Sequence, residues 1–134
     1  MTFDYRNKYD LEKVNIHDGD FTGYSYSYSA KSILLTCVNR FTGKRIHLKF
    51  MNVIYSWLQS CSFWCGGNSI LWLKIKENDA GLDSLYELQN KNKEEFALSD
   101  LDQGIEYVVI EITINSGDKL LIASQWVELE EIAV

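Results

Sequence analysis

The chain has 134 residues, 46% of them apolar and 13% aromatic, with no proline, three cysteines and a net charge of −6. That length suits one domain, residues 1–134, whose core needs no staples, and that apolar content excludes a disordered chain. The negative charge disfavours nucleic acid and anionic lipid, no run approaches the ~18 apolar residues of a membrane span, and an odd cysteine count argues against a secreted disulfide scaffold.

The first twelve residues are polar and read as a loose lead-in or a short helix. Residues 13–16 read as a short strand, and His17-Asp18-Gly19-Asp20 as a turn. Residues 21–28 alternate strictly, with Tyr24, Tyr26 and Tyr28 on one face and Ser25 and Ser27 on the other, the period of a strand. Residues 32–38 are apolar on both faces, as an internal strand would be. Asn39 to Gly43 forms a hairpin loop. Residues 44–50 alternate again, Ile46, Leu48 and Phe50 inward against Arg45, His47 and Lys49 outward, and residues 52–58 read as a further strand.

Residues 69–77 follow, with Leu71, Leu73 and Ile75 on one face. The period then changes. Leu82, Leu85, Tyr86 and Leu88 share a helical face within residues 80–91, with Asn78 or Asp79 able to cap the start. A polar loop leads to a long strand over residues 105–115, with Val108, Ile110, Ile112 and Ile114 on one face. Ser116-Gly117-Asp118 turns the chain into residues 119–127, where Leu120, Ile122 and Trp126 share a face; this pair is the clearest hairpin signal in the chain. The acidic tail from Glu128 is expected to fray. The fold class is therefore mainly β (α+β): an antiparallel meander of about seven strands curled into a barrel-like or sandwich core, with one helix around residues 80–91.

Few residues suggest chemistry. Cys61 and Cys65 bracket Phe63-Trp64, with Gly66-Gly67-Asn68 after them. A zinc site pairs such cysteines with a second ligand pair, and the other candidates, Cys37, His17 and His47, are scattered; a packed corner is the plainer reading. His17 beside Asp18 could orient an imidazole, and Asp18 with Asp20 could meet a hard cation. The acidic positions of a calcium loop are missing, so an Asx-type turn accounts for them. The sequence offers no catalytic nucleophile motif, no metal set and no cofactor fingerprint. The tyrosine ladder could stack on a ligand or a partner, and it also fits cross-strand packing. Arg40, Lys44, Arg45 and Lys49 around one hairpin read as a solvated face. The charge is uneven along the chain. Residues 1–60 carry eight Lys/Arg and five Asp/Glu, whereas residues 61–134 carry five Lys and fourteen Asp/Glu.

Ile16-His17-Asp18, then Phe50-x-Asn52-Val53, then Phe63-Trp64-x-Gly66 and a long terminal hairpin over residues 105–127 resemble the pattern of small bacterial β-rich domains of unknown function. Some of these are regarded as immunity proteins of polymorphic toxin systems. In such proteins the His-Asp pair commonly continues with Ser, where this chain has Gly19. The resemblance implies a non-enzymatic, intracellular protein; with the acidic second half, the leading expectation is a cytoplasmic domain that binds a protein partner, such as a basic toxin. The binding candidates carried forward are His17, Asp18, Tyr24, Tyr26, Tyr28 and Trp64, in a monomer or a homodimer without cofactor. The rival expectation is a small-ligand or metal-binding barrel, or a minor enzyme built on the His-Asp turn with Cys61 or Cys65. It requires a pocket lined by the three tyrosines and Trp57 or Trp72.

Overall fold

Alternating side chains build most of the fold, and the computed structural model describes residues 1–14, 16, 18–58, 68–77, 83, 84, 87 and 105–132. The elements run β1 (Thr2–Asp4), α1 (Lys8–Glu12), β2 (Asp20–Ser27), β3 (Ser32–Val38), β4 (Arg45–Leu58), β5 (Ile70–Lys76), β6 (Val108–Ile114) and β7 (Lys119–Ile132). The seven strands form one antiparallel sheet in the order β2-β3-β4-β7-β6-β5, with β1 also on β7. The sheet is not closed into a barrel. The expected meander is realised as two, β2-β3-β4 and β5-β6-β7, joined where β4 lies along β7.

That junction is the longest pairing, from Arg45 opposite Ile132 to Leu58 opposite Leu120. On its other side, β7 meets β6 over its first half and β1 from Trp126 to Glu128. The core follows the alternation. Ile33, Leu35 and Cys37 of β3, Ile46, Leu48 and Phe50 of β4, and Ile110, Ile112 and Ile114 of β6 are all buried in one cluster. Each such side chain contributes about 1.5–3 kcal/mol when fully removed from water. Phe3, Leu11 and Ile16 join the same cluster, so β1, α1 and the chain after it cover part of the core face.

Several expectations are corrected. Of residues 13–16, expected as a strand, Lys13, Val14 and Ile16 are described and lie in no strand: the Lys13 and Val14 N–H groups bond the Asp10 and Leu11 carbonyls, closing α1, and Ile16 is buried. Residues 44–50 and 52–58 are not two strands but the single β4. Asn52, at φ 48°, sits inside it, and the ladder shifts register between Val53 and Tyr55, a bulge that bends the strand without ending it. In β5 a shift between Ile70 and Trp72 turns Ile70, Leu73 and Ile75 inward, leaving Leu71 half-buried. Trp126 does not share the face of Leu120 and Ile122. The buried positions change parity between Ile122 and Val127, where the Asn52 amide donates to Gln125 Oε1 at 2.9 Å.

The acidic tail does not fray through Ile132. Glu128, Leu129 and Glu130 pair with Lys49, Leu48 and His47, and Leu129 is buried. Burial on one face and charge pairing on the other keep it in the sheet. Of the helix expected over residues 80–91, Asp83, Ser84 and Glu87 are helical and exposed; the rest lies outside the described residues. Among the described residues no helix is long and apolar enough to cross a membrane.

Candidate binding surface

The His-Asp turn and the sequence after the cysteines meet in space. Asp18 adopts φ 64°, a left-handed conformation that Asp tolerates better than most residues. Its N–H donates to the Ile70 carbonyl at 2.9 Å, the Ile70 N–H returns to the Gly19 carbonyl at 2.9 Å, and the Phe21 N–H reaches the Asn68 carbonyl at 2.9 Å. Asp20 and Ser69 form a bridge between these segments. The outer strands β2 and β5 are thus stitched together at one end, while the rest of the two strands stays apart.

Side chains reinforce this seam. Arg40, from the β3–β4 loop, donates from Nε to Asp20 Oδ1 at 2.7 Å and from its terminal nitrogen to Ser69 Oγ. Asn68 Nδ2 donates to the Phe21 carbonyl at 2.7 Å, and the Ser69 N–H donates to Asn115 Oδ1 at 3.2 Å. Sequence reasoning placed Arg40 on a solvated basic face and missed the seam. No short-range pattern links positions 20, 40, 69 and 115. His17, Trp64, Cys61 and Cys65 lie outside the described residues. Asp18 belongs to the seam through its backbone, as a turn residue.

The remaining thiol is Cys37. It is free and buried, and burial pushes it up to about 11, so the thiolate that a nucleophile or metal ligand needs is disfavoured. Among the described residues no three His, Cys, Asp or Glu side chains gather as a metal-binding set.

The tyrosine ladder is graded. Tyr24 and Tyr26 pair with Leu35 and Ile33, which face the core. Tyr24 is packed against that core, whereas Tyr26 is 59% and Tyr28 87% exposed. Their rings meet edge to face at 5.5 Å, a favoured aromatic geometry. Trp57 and Trp72 are also exposed, but they pair with Leu121 and Thr113, on the face turned away from the core. Among the described residues, the core-side tyrosines and these tryptophans therefore lie on opposite faces of the sheet.

The charge map differs from the sequence halves. β4 carries Arg45, His47 and Lys49, and β7 carries Glu128, Glu130 and Glu131. The register sets Lys49 opposite Glu128 and His47 opposite Glu130, and Lys44 lies 3.8 Å from Glu131. Elsewhere Lys76 meets Glu111 and Lys8 meets Glu77, each at 3.3 Å. The basic first half and acidic second half are interleaved by the sheet. No family model matches the chain, and no curated protein matches it.

Proposed function

We propose that the chain is a non-catalytic protein-binding domain working in the cytoplasm, in the form of an immunity protein that neutralises a basic toxin. The observation that carries this reading is where the charge surplus falls. Residues 78–104 hold seven Asp/Glu and two Lys, so this one connection between β5 and β6 accounts for −5 of the net −6. The acids of β7, by contrast, are set against the bases of β4. A concentrated acidic connection speeds encounter with a basic partner and sets its orientation. The resemblance of Ile16-His17-Asp18, Phe50-x-Asn52-Val53 and the terminal hairpin to immunity-type domains supports the toxin as the partner class.

The test is affinity capture from the chain's own cells, followed by mass identification of whatever is retained. The expected partner is a basic protein held at low salt and released at about 0.5 M salt, where screening is nearly complete beyond a few ångströms. A variant carrying Asp79→Asn, Asp83→Asn, Glu87→Gln, Asp100→Asn and Asp102→Asn should lose most of that retention, chiefly through slower association. Equal retention by the neutralised variant would remove the electrostatic reading. A stoichiometric metal or small molecule in native mass spectra, with no protein retained, would overturn protein binding itself.

A further inference from the structure

We propose that β2 is a self-association edge, through which two copies of this chain pair antiparallel about a twofold axis at Tyr26. This goes beyond the protein-binding reading above and does not depend on it. The two outer strands of the sheet are treated differently by the fold. On β5 the outward Ile75 N–H is taken by Glu12 Oε1 of α1 at 2.7 Å, and Lys8 of the same helix reaches Glu77 just past the strand end. Beyond the seam, among the described residues, β2 has a strand on one side only, β3. Ser25, Tyr26 and Ser27 are all exposed.

The edge also lacks the usual protection. Natural edge strands carry Lys, Pro or inward charges that deter pairing. Residues 21–30, FTGYSYSYSA, contain no charged residue and no proline, in a chain that is 24% charged. This neutrality points to a second copy as the occupant. Paired strands lie about 5 Å apart, well inside the screening length, so two chains of net charge −6 meet least repulsion there through an uncharged segment. The nearest charges are Asp20 before the stretch and Lys31 after it. Antiparallel pairing brings the acidic end of one copy toward the basic end of the other.

The register follows from the hairpin. The Lys31 N–H donates to the Tyr28 carbonyl at 3.2 Å, closing the β2–β3 turn. The alternation of an antiparallel ladder then turns the backbone groups of Ser25 and Ser27 outward. Ser25 of one copy and Ser27 of the other exchange N–H···O bonds on both sides of the axis. Tyr26 meets its own copy in the closer, non-hydrogen-bonded position, and Tyr24 meets Tyr28. With β5 capped by α1, the assembly closes at two copies and does not grow into a filament.

Sedimentation of the full chain over a range of concentrations tests this. The expected result is a reversible dimer whose dissociation constant rises at least about tenfold, or about 1.4 kcal/mol, in each of two variants. Tyr26→Lys places like charges opposite each other at the axis. Ser25→Pro removes an outward donor that the intact sheet does not use, at an edge position where proline is tolerated. Unchanged circular dichroism shows that each variant still folds, and Tyr26→Lys keeps the test valid if Ser25→Pro does not. A chain monomeric at every concentration overturns the proposal, as does a dimer that both variants leave intact. A monomer that instead takes up an unrelated extended peptide at this edge overturns it too.

Discussion

A Cβ at Gly19 would stand 2.9 Å from the Ile16 carbonyl oxygen and 3.4 Å from that of Val38. Neither is the movable end of a side chain. The Gly19 N–H already bonds the Ile16 carbonyl at 3.0 Å, and its own carbonyl accepts from Ile70 at 2.9 Å. The residue is held from both sides, so the turn cannot open without breaking the seam. Gly19→Ala should cost about 1–3 kcal/mol, the usual range for forcing atoms into an occupied space, read as a lower urea midpoint at unchanged slope. A loss under about 0.5 kcal/mol, the level of an ordinary surface change, would mean that the turn relaxes freely.

Among the elements, α1 is too short to stand alone, because a helix of five residues is far below the length at which helices persist in water. Leu11, 1% exposed, pins it to the core, and Glu12 then satisfies an edge donor of β5 through a charge-assisted bond. Glu12→Ala should therefore speed amide exchange at Ile75 while leaving Ile110, its internal partner in the sheet, protected; the loss in stability should be about 1–2 kcal/mol. Equal exchange at Ile75 in both proteins would show that α1 does not cap this edge. The strands themselves were legible where burial is one-sided: β3 and the first half of β4 follow their period-two patterns, and the β6–β7 hairpin keeps Ile110, Ile112 and Ile114 with Leu120 and Ile122 in the core. Legibility failed where a bulge changes parity, at Phe21–Gly23, at Val53–Tyr55 and at Ile70–Trp72, because one extra residue reverses which positions are buried, and it failed between Ile122 and Val127, where the buried positions of β7 change parity beside the β4 bulge. The tail was misread for a related reason. Its alternation of Glu with Leu129 has meaning only once β4 lies beside it, and β4 begins at Arg45, 83 positions before Glu128.

At the scale of the whole molecule, two meanders are joined twice: along the full β4–β7 pairing, and at the short seam where residues 18–21 meet residues 68–70. The two junctions differ in kind. The first is lined with Phe50, Leu48, Ile122 and Val127, all nearly inaccessible, and should open only on global unfolding. The second is a set of backbone bonds backed by one ion pair. Arg40 and Asp20 are 50% and 37% exposed as side chains, so solvent screens their attraction, and exposed pairs of this kind are worth about 0–1 kcal/mol. The backbone bonds, not the charge, should hold the seam. Arg40→Met, which keeps the apolar stem, is then expected to lower global stability by less than about 1 kcal/mol. It should raise amide exchange at Asp18, Phe21 and Ile70 without affecting Leu48 or Val127. Gly19→Ala should open the same amides much further, since it strains the backbone itself. If Arg40→Met proves the more damaging of the two, or if high salt alone exposes those amides, the seam is an electrostatic latch, and charge outranks the backbone bonds in holding it.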